Sequence, residues 1–136
     1  MKLVLIIAGV LVLFVVLIAV IGSLLPKRHE ASRSVLIDAS PAGVYRVLTE
    51  FESAPKWRND VVRVELLGEA GGHMRFREHG RHGAVTYEVV EQQPDRLLVT
   101  QIVDRDLGYS GSWTYALAPE GAGTRVTITE LSLIHI

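Results

Sequence analysis

From Leu3 to Leu25 the chain runs without a single charged side chain, in a stretch dominated by leucine, valine and isoleucine. About 20 apolar residues match a hydrocarbon core of about 30 Å at roughly 1.5 Å of rise per residue. The expectation is therefore an N-terminal transmembrane helix over residues 1–25, with Leu3–Leu25 contacting the lipid bilayer. A cleaved leader has a shorter apolar region that ends in small residues, and Val20-Ile21-Gly22 fits such a site poorly. Lys2 flanks one end, and Lys27, Arg28 and Arg33 flank the other. Positive-inside counting then places the C-terminal domain on the cytoplasmic side of a single-pass membrane protein.

With 136 residues in all, such a segment leaves length for one domain of about 100 residues. The chain has no cysteine, which excludes disulfides, thiolate zinc sites, iron–sulfur clusters and a cysteine nucleophile. Residues 1–29 carry a formal charge of +3 and residues 30–136 one of −4. A domain that acidic is unsuited to nucleic-acid phosphates, which call for a basic surface.

Residues 26–32 read as a linker that opens on Pro26-Lys27-Arg28. Ser34-Val35-Leu36-Ile37-Asp38 is a β-branched run expected to form a strand. Ser40-Pro41 is a helix start, with a hydroxyl cap ahead of proline in the first turn. Val44, Val47, Leu48 and Phe51 follow at i, i+3, i+4 and i+7, one apolar helical face. A second short helical piece is expected from Ala54 to Asn59. Beyond Asp60 the pattern changes to alternation: Val62/Val64/Leu66, Met74/Phe76, Val85/Tyr87/Val89, Trp113/Tyr115/Leu117 and Val126/Ile128, with a continuous apolar run from Leu97 to Val103. A period of two means strands with one face on a core and the other in water. Glycine-rich or proline-bearing joints at 68–72, 80–83, 92–95 and 119–123 predict antiparallel hairpins. The fold class is α+β, one strongly curved antiparallel sheet with two short helices over its apolar face.

Several of these residues carry a family likeness. Asp38-Ala39-Ser40-Pro41, Val44-Tyr45, Val47-Leu48, Pro55-x-Trp57, Gly111-x-Trp113-Thr114-Tyr115 and Gly123-Thr124-Arg125-Val126-Thr127-Ile128-Thr129-Glu130 resemble the START-like SRPBCC superfamily, which includes the polyketide cyclase/dehydrase and lipid-transport families. The likeness covers roughly residues 31–130, with the domain itself read as 33–130. It implies a helix-grip domain, in which a curved sheet wraps a long C-terminal helix around an apolar ligand cavity. Leu131–Ile136 does not continue the pattern of such relatives, so residues 131–136 are expected to be a non-native tail, and the domain to be truncated before that helix.

Chemistry is sparse. His73, His79 and His82 lie close in sequence with Glu78 beside them, while His29 and His135 stand apart. They read as hairpin side chains, and no metal site or cofactor is expected. Asp104 and Asp106 flank Arg105 near a turn, and the sequence offers no converging acid/base pair. No Gly-x-Ser-x-Gly elbow or Gly-x-Gly-x-x-Gly loop occurs. What remains is large apolar lining: Trp57, Met74, Phe76, Tyr87, Trp113 and Tyr115 are the expected ligand-binding residues. The leading expectation is a membrane-anchored module for a hydrophobic small molecule or lipid. The alternatives are a polyketide cyclase/dehydratase-like enzyme drawing on Asp104, Arg105, Asp106 or Tyr115, and a chaperone-like module holding a peptide.

Overall fold

The computed structural model describes residues 2–25 and 28–134. Pro26 and Lys27 of the expected linker, and His135 and Ile136 of the expected tail, lie outside the described residues.

The expected transmembrane helix is corrected. Among the described residues no helix is long and apolar enough to cross a membrane. Helix α1 spans Lys2–Leu24. The single-pass location and the orientation that rested on this helix are corrected with it, and a bilayer contact through Leu3–Leu25 is not shown.

The architecture is a seven-stranded antiparallel sheet with helices, in a helix-grip-like arrangement. The strands are β1 (Arg28–Ile37), β2 (Val61–Ala70), β3 (His73–Gly80), β4 (Gly83–Gln93), β5 (Leu97–Ile102), β6 (Tyr109–Glu120) and β7 (Gly123–Ile134). Their order in the sheet is β1-β7-β6-β5-β4-β3-β2. Strands β2 to β7 thus pair with their chain neighbours, as short hairpin joints dictate, and β1 closes onto β7 at the far edge. The hairpin between β2 and β3 turns on Gly71 and Gly72, at φ +61° and +83°, the left-handed region open to glycine.

Two strands reach further than the local pattern indicates. β1 begins at Arg28, inside the stretch read as linker, because each of its residues from Arg28 to Ile37 faces a partner between Leu133 and Thr124 of β7. Residues 131–134 continue β7 for the same reason, paired with β6 through Leu131↔Ser112 and Ile134↔Tyr109. Backbone pairing on both sides extends a strand where side chains give no signal.

Helix α2 (Pro41–Thr49) starts as its sequence directs, with the Ser40 hydroxyl accepting from the Gly43 amide at 3.2 Å and Pro41 in the first turn. A 3₁₀ helix, Phe51–Lys56, follows. Between them they cover part of one sheet face. Val44 packs on Leu117 and Val126, while Ala54 joins Val61, Val64, Phe76, Val89 and Leu98. Thr124, fully buried, donates its hydroxyl to the Ala39 carbonyl at 2.7 Å and so fastens the approach to α2 onto β7.

The opposite face is polar. Ser32 and Thr129 share a hydrogen bond at 3.0 Å, and the Thr127 hydroxyl donates to Ser34 at 3.3 Å. In β2 the alternation is broken. A bulge between Val61 and Arg63 shifts the register, so Val61 and Val64 are buried while Val62 is exposed. An extra residue in one strand moves every later side chain to the other face.

Candidate functional site

Facing β strands place directly opposed residues on one side of a sheet. The pairs Phe76↔Tyr87, Leu98↔Tyr115 and Thr100↔Trp113 therefore raise one face of large side chains beneath the helices. Phe51, at the head of the 3₁₀ helix, stacks on Phe76 with centroids 4.1 Å apart. Phe76 stacks in turn on Tyr87 at 5.4 Å, and Tyr87 meets the edge of Trp113 at 5.6 Å. This row of rings floors a cavity of about 330 Å³ that is walled by Val47 and Leu48 of α2 on one side and by Trp57 on another. Val47 is exposed for this reason: it points into the hollow rather than into packed core.

Five of the six aromatic and apolar candidates meet here, namely Trp57, Phe76, Tyr87, Trp113 and Tyr115. Met74 does not. It is in phase with Phe76 but lies nearer the β2–β3 hairpin, in a separate hollow with Leu66 and Lys56. Phe51 lines both hollows and forms the partition between them.

The cavity also holds charge. The Arg58 guanidinium, just after the 3₁₀ helix, donates from Nη1 to Glu78 Oε1 at 2.8 Å, from Nη2 to Asp60 Oδ2 at 2.6 Å and from Nε to Asp60 Oδ1 at 3.3 Å. Glu78 is on β3 two residues beyond Phe76, so it shares the inward face. Its side chain is only 14% exposed. Burial raises its pKa, Arg58 partly offsets that by charge and hydrogen bond, and Asp60 pushes it up again. Burial alone would lower the Arg58 pKa, yet the hydrogen bonds and charges of Asp60 and Glu78 together hold it above its usual value. Arg58 in turn holds Asp60 below the ordinary carboxylate range, chiefly through their hydrogen bond. The Tyr87 and Tyr115 hydroxyls are raised first of all by burial. Both phenols are therefore neutral donors at physiological pH.

The other polar candidates lie elsewhere. Asp104 accepts the Thr86 backbone amide at 2.6 Å, where it ends the β4–β5 ladder, and it borders an outer hollow with Arg105 and Arg75. Asp106 does not line the aromatic cavity. His73 contacts the Val89 carbonyl at 3.0 Å, whereas His79 contacts Glu65 at 3.3 Å. Among the described residues no group of three or more histidine or acidic side chains is placed to hold a metal ion.

Arg58, Asp60, Glu78, Phe51 and Thr100 were not among the expected ligand-binding residues. One signal for Glu78 was available, since a carboxylate in phase with Met74 and Phe76 sits on a core face, where an unpaired charge is costly. Arg58 beside Trp57 carried no such mark, because its buried partner Glu78 is 20 positions away.

The comparisons agree with this geometry. A START superfamily protein from Mycobacterium smegmatis superposes with a TM-score of 0.69 at 16% identity, over 79% of this chain and 79% of that one. The Zhui aromatase/cyclase from Streptomyces sp. R1128 gives 0.68 at 16% identity, over 80% and 70%. The di-domain ARO/CYC StfQ from the steffimycin biosynthetic pathway gives 0.65 at 13% identity, and this chain spans 79% of its own length and 37% of that protein. At such identities the likeness is one of fold. No curated protein matches the sequence significantly. The family described as polyketide cyclase/dehydrase and lipid transport matches residues 28–131, from the first residue of β1 nearly to the end of β7 and with every cavity element inside it, and to that family the chain belongs.

Proposed function

We propose that the cavity binds a hydrophobic small molecule or lipid. The observation that carries this reading is the convergence of Trp57, Phe76, Tyr87, Trp113 and Tyr115 on one hollow of about 330 Å³. Ligand sites are concave and mostly apolar, with a few polar groups to orient the ligand, and their volumes begin at roughly 300 Å³. Ring stacking of Phe51, Phe76 and Tyr87 braces the floor. Neutral tyrosine hydroxyls and the Arg58 cluster supply the polar handles. Titration of the purified chain with 1-aminoanthracene tests it. Saturable binding that quenches tryptophan emission, and that weakens when Trp113 is replaced by alanine, is the expected result. Absence of saturable binding overturns the reading.

A second reading, a polyketide cyclase or dehydratase, is favoured by one observation: Glu78 is a largely buried carboxylate with a raised pKa inside the cavity, as a proton-transferring group requires. Of the candidates the sequence offers for that chemistry, Tyr115 lines the cavity, whereas Asp104, Arg105 and Asp106 do not. On this reading Glu78→Gln abolishes turnover of a poly-β-ketone thioester without abolishing its binding. Equal turnover by the variant removes it.

A further inference from the structure

The charges around the cavity do not balance. Among the described residues, Glu50, Asp60 and Glu78 line it together with one cation, Arg58. That cation is already committed. Each of its three nitrogens donates to a carboxylate, Nε and Nη2 to Asp60 and Nη1 to Glu78. An anionic ligand could reach only the two guanidinium N–H groups that these bonds leave over, and would meet two surplus negative charges as it did so. A cation meets the opposite situation, because the surplus carboxylates attract it and the ring faces of Trp57, Tyr87 and Trp113 add the quadrupole attraction that aromatic rings offer to ammonium groups. The attraction is strongest at Glu78, whose side chain is only 14% exposed, and weaker at Asp60, which is 69% exposed.

We propose that the cavity selects aromatic ligands bearing a positive charge, of the arylalkylammonium class, over neutral or carboxylate-bearing ligands of the same size. This rests on the hydrophobic-ligand reading above and narrows it: the fatty-acid anion is the ligand this lining disfavours. The aromatic part of the ligand lies along Phe76, Tyr87 and Trp113, and its ammonium sits on the side of Glu78.

The test is isothermal titration of the full chain at neutral pH and low salt with three probes that share one ring system: 2-(2-naphthyl)ethylamine, 2-(2-naphthyl)ethanol and 2-naphthylacetate. The expected order is amine, alcohol, acid, with about tenfold between the first two. Glu78→Gln is expected to shrink the amine-to-alcohol ratio to less than about threefold. Raising the salt to about 0.5 M is expected to shrink it in the unaltered protein, because screening weakens charge attraction, and this readout stands even where the variant does not fold. If alcohol and amine bind alike, or the acid binds best, the charge selectivity is overturned while hydrophobic binding survives. If none of the three binds, both fall.

Discussion

Arg58 Nη1 lies 2.8 Å from Glu78 Oε1 across 20 positions of chain, and their side chains are 30% and 14% exposed. Asp60 lies on the same guanidinium at 2.6 Å with 69% of its side chain in solvent. One cation thus holds a largely buried carboxylate with one hand and an exposed one with the other. Removing a partner from a buried pair strands the remaining charge, at a cost of about 3–5 kcal/mol when burial is complete. Exposed pairs contribute about 0–1 kcal/mol. Arg58→Ala is therefore expected to lower unfolding stability by about 1–3 kcal/mol, and Asp60→Ala by less than about 1 kcal/mol, in urea titrations at neutral pH. Equal losses would mean that Asp60, and not Glu78, carries the pairing.

The raised pKa of Glu78, caused first by burial, fixes the sign of a pH effect. Its folded-state pKa stands above the ordinary 4.5, so the folded protein holds this proton more tightly than the unfolded chain does. The stability this contributes is fully present below about pH 4.5 and is lost as pH rises through the folded value. Glutamine cannot lose a proton. Relative to the parent, Glu78→Gln should gain stability as pH rises from about 4.5 through the folded-state value and level off above it, whatever its absolute level. Denaturant midpoints at four pH values would show this; a gap that stays flat or narrows in the other direction would contradict the burial of Glu78. Asp60 works oppositely, with a lowered pKa, but it is present in both proteins and cancels from the difference.

Much of the cavity floor was legible because it depends on period alone. Phe76, Tyr87, Trp113 and Tyr115 each sit in phase with other large apolar residues of their strands, and the pleat puts such residues on one face. Met74 has the same phase and still lies outside, because phase says nothing about where along the strand the 3₁₀ helix crosses. The step from face to site depends on Phe51, whose position is set by packing between distant elements. Val62 misled for a different reason, since a bulge leaves no mark in an alternating string. The apolar N-terminal run misled because composition and spacing speak for a span, whereas the described helix does not provide one. Arg58 was beyond reach: a pair made between a loop and a strand is a fact of tertiary structure.

Phe76 and Met74 share a strand face, and their replacements should separate floor from periphery. Phe76 is 3% exposed and stacks on two rings, so Phe76→Ala is expected to cost about 3–5 kcal/mol. Met74 is 38% exposed and lies behind the Phe51 partition, so Met74→Ala should cost no more than about 1 kcal/mol. 1-Aminoanthracene binding separates them as well. Met74→Ala should retain affinity within about twofold, whereas a loss of tenfold or more would place Met74 inside the site.

Gly123 opens β7 directly against the end of β1, and a Cβ at this position would run into the Ile37 carbonyl oxygen. The obstacle is backbone, not the end of a flexible side chain, and Ile37 is already held in the ladder opposite Thr124. The strand end can yield only by drawing β1 away from β7, which also strains the hydrogen bond from Thr124 to Ala39 that seats α2. Overpacking of this kind costs about 1–3 kcal/mol, and Gly123→Ala is expected at the upper end of that range. Gly108 is the control, because a Cβ there meets nothing within 4 Å and its φ is not in the left-handed region. Gly108→Ala should be neutral or stabilising by up to about 1 kcal/mol, through the reduced freedom of the unfolded chain. Amide exchange locates the damage. In Gly123→Ala the amides of residues 34–37 should lose protection before those of β3 and β4, and uniform loss across the sheet would show instead that the contact between β1 and β7 is not where the strain is held.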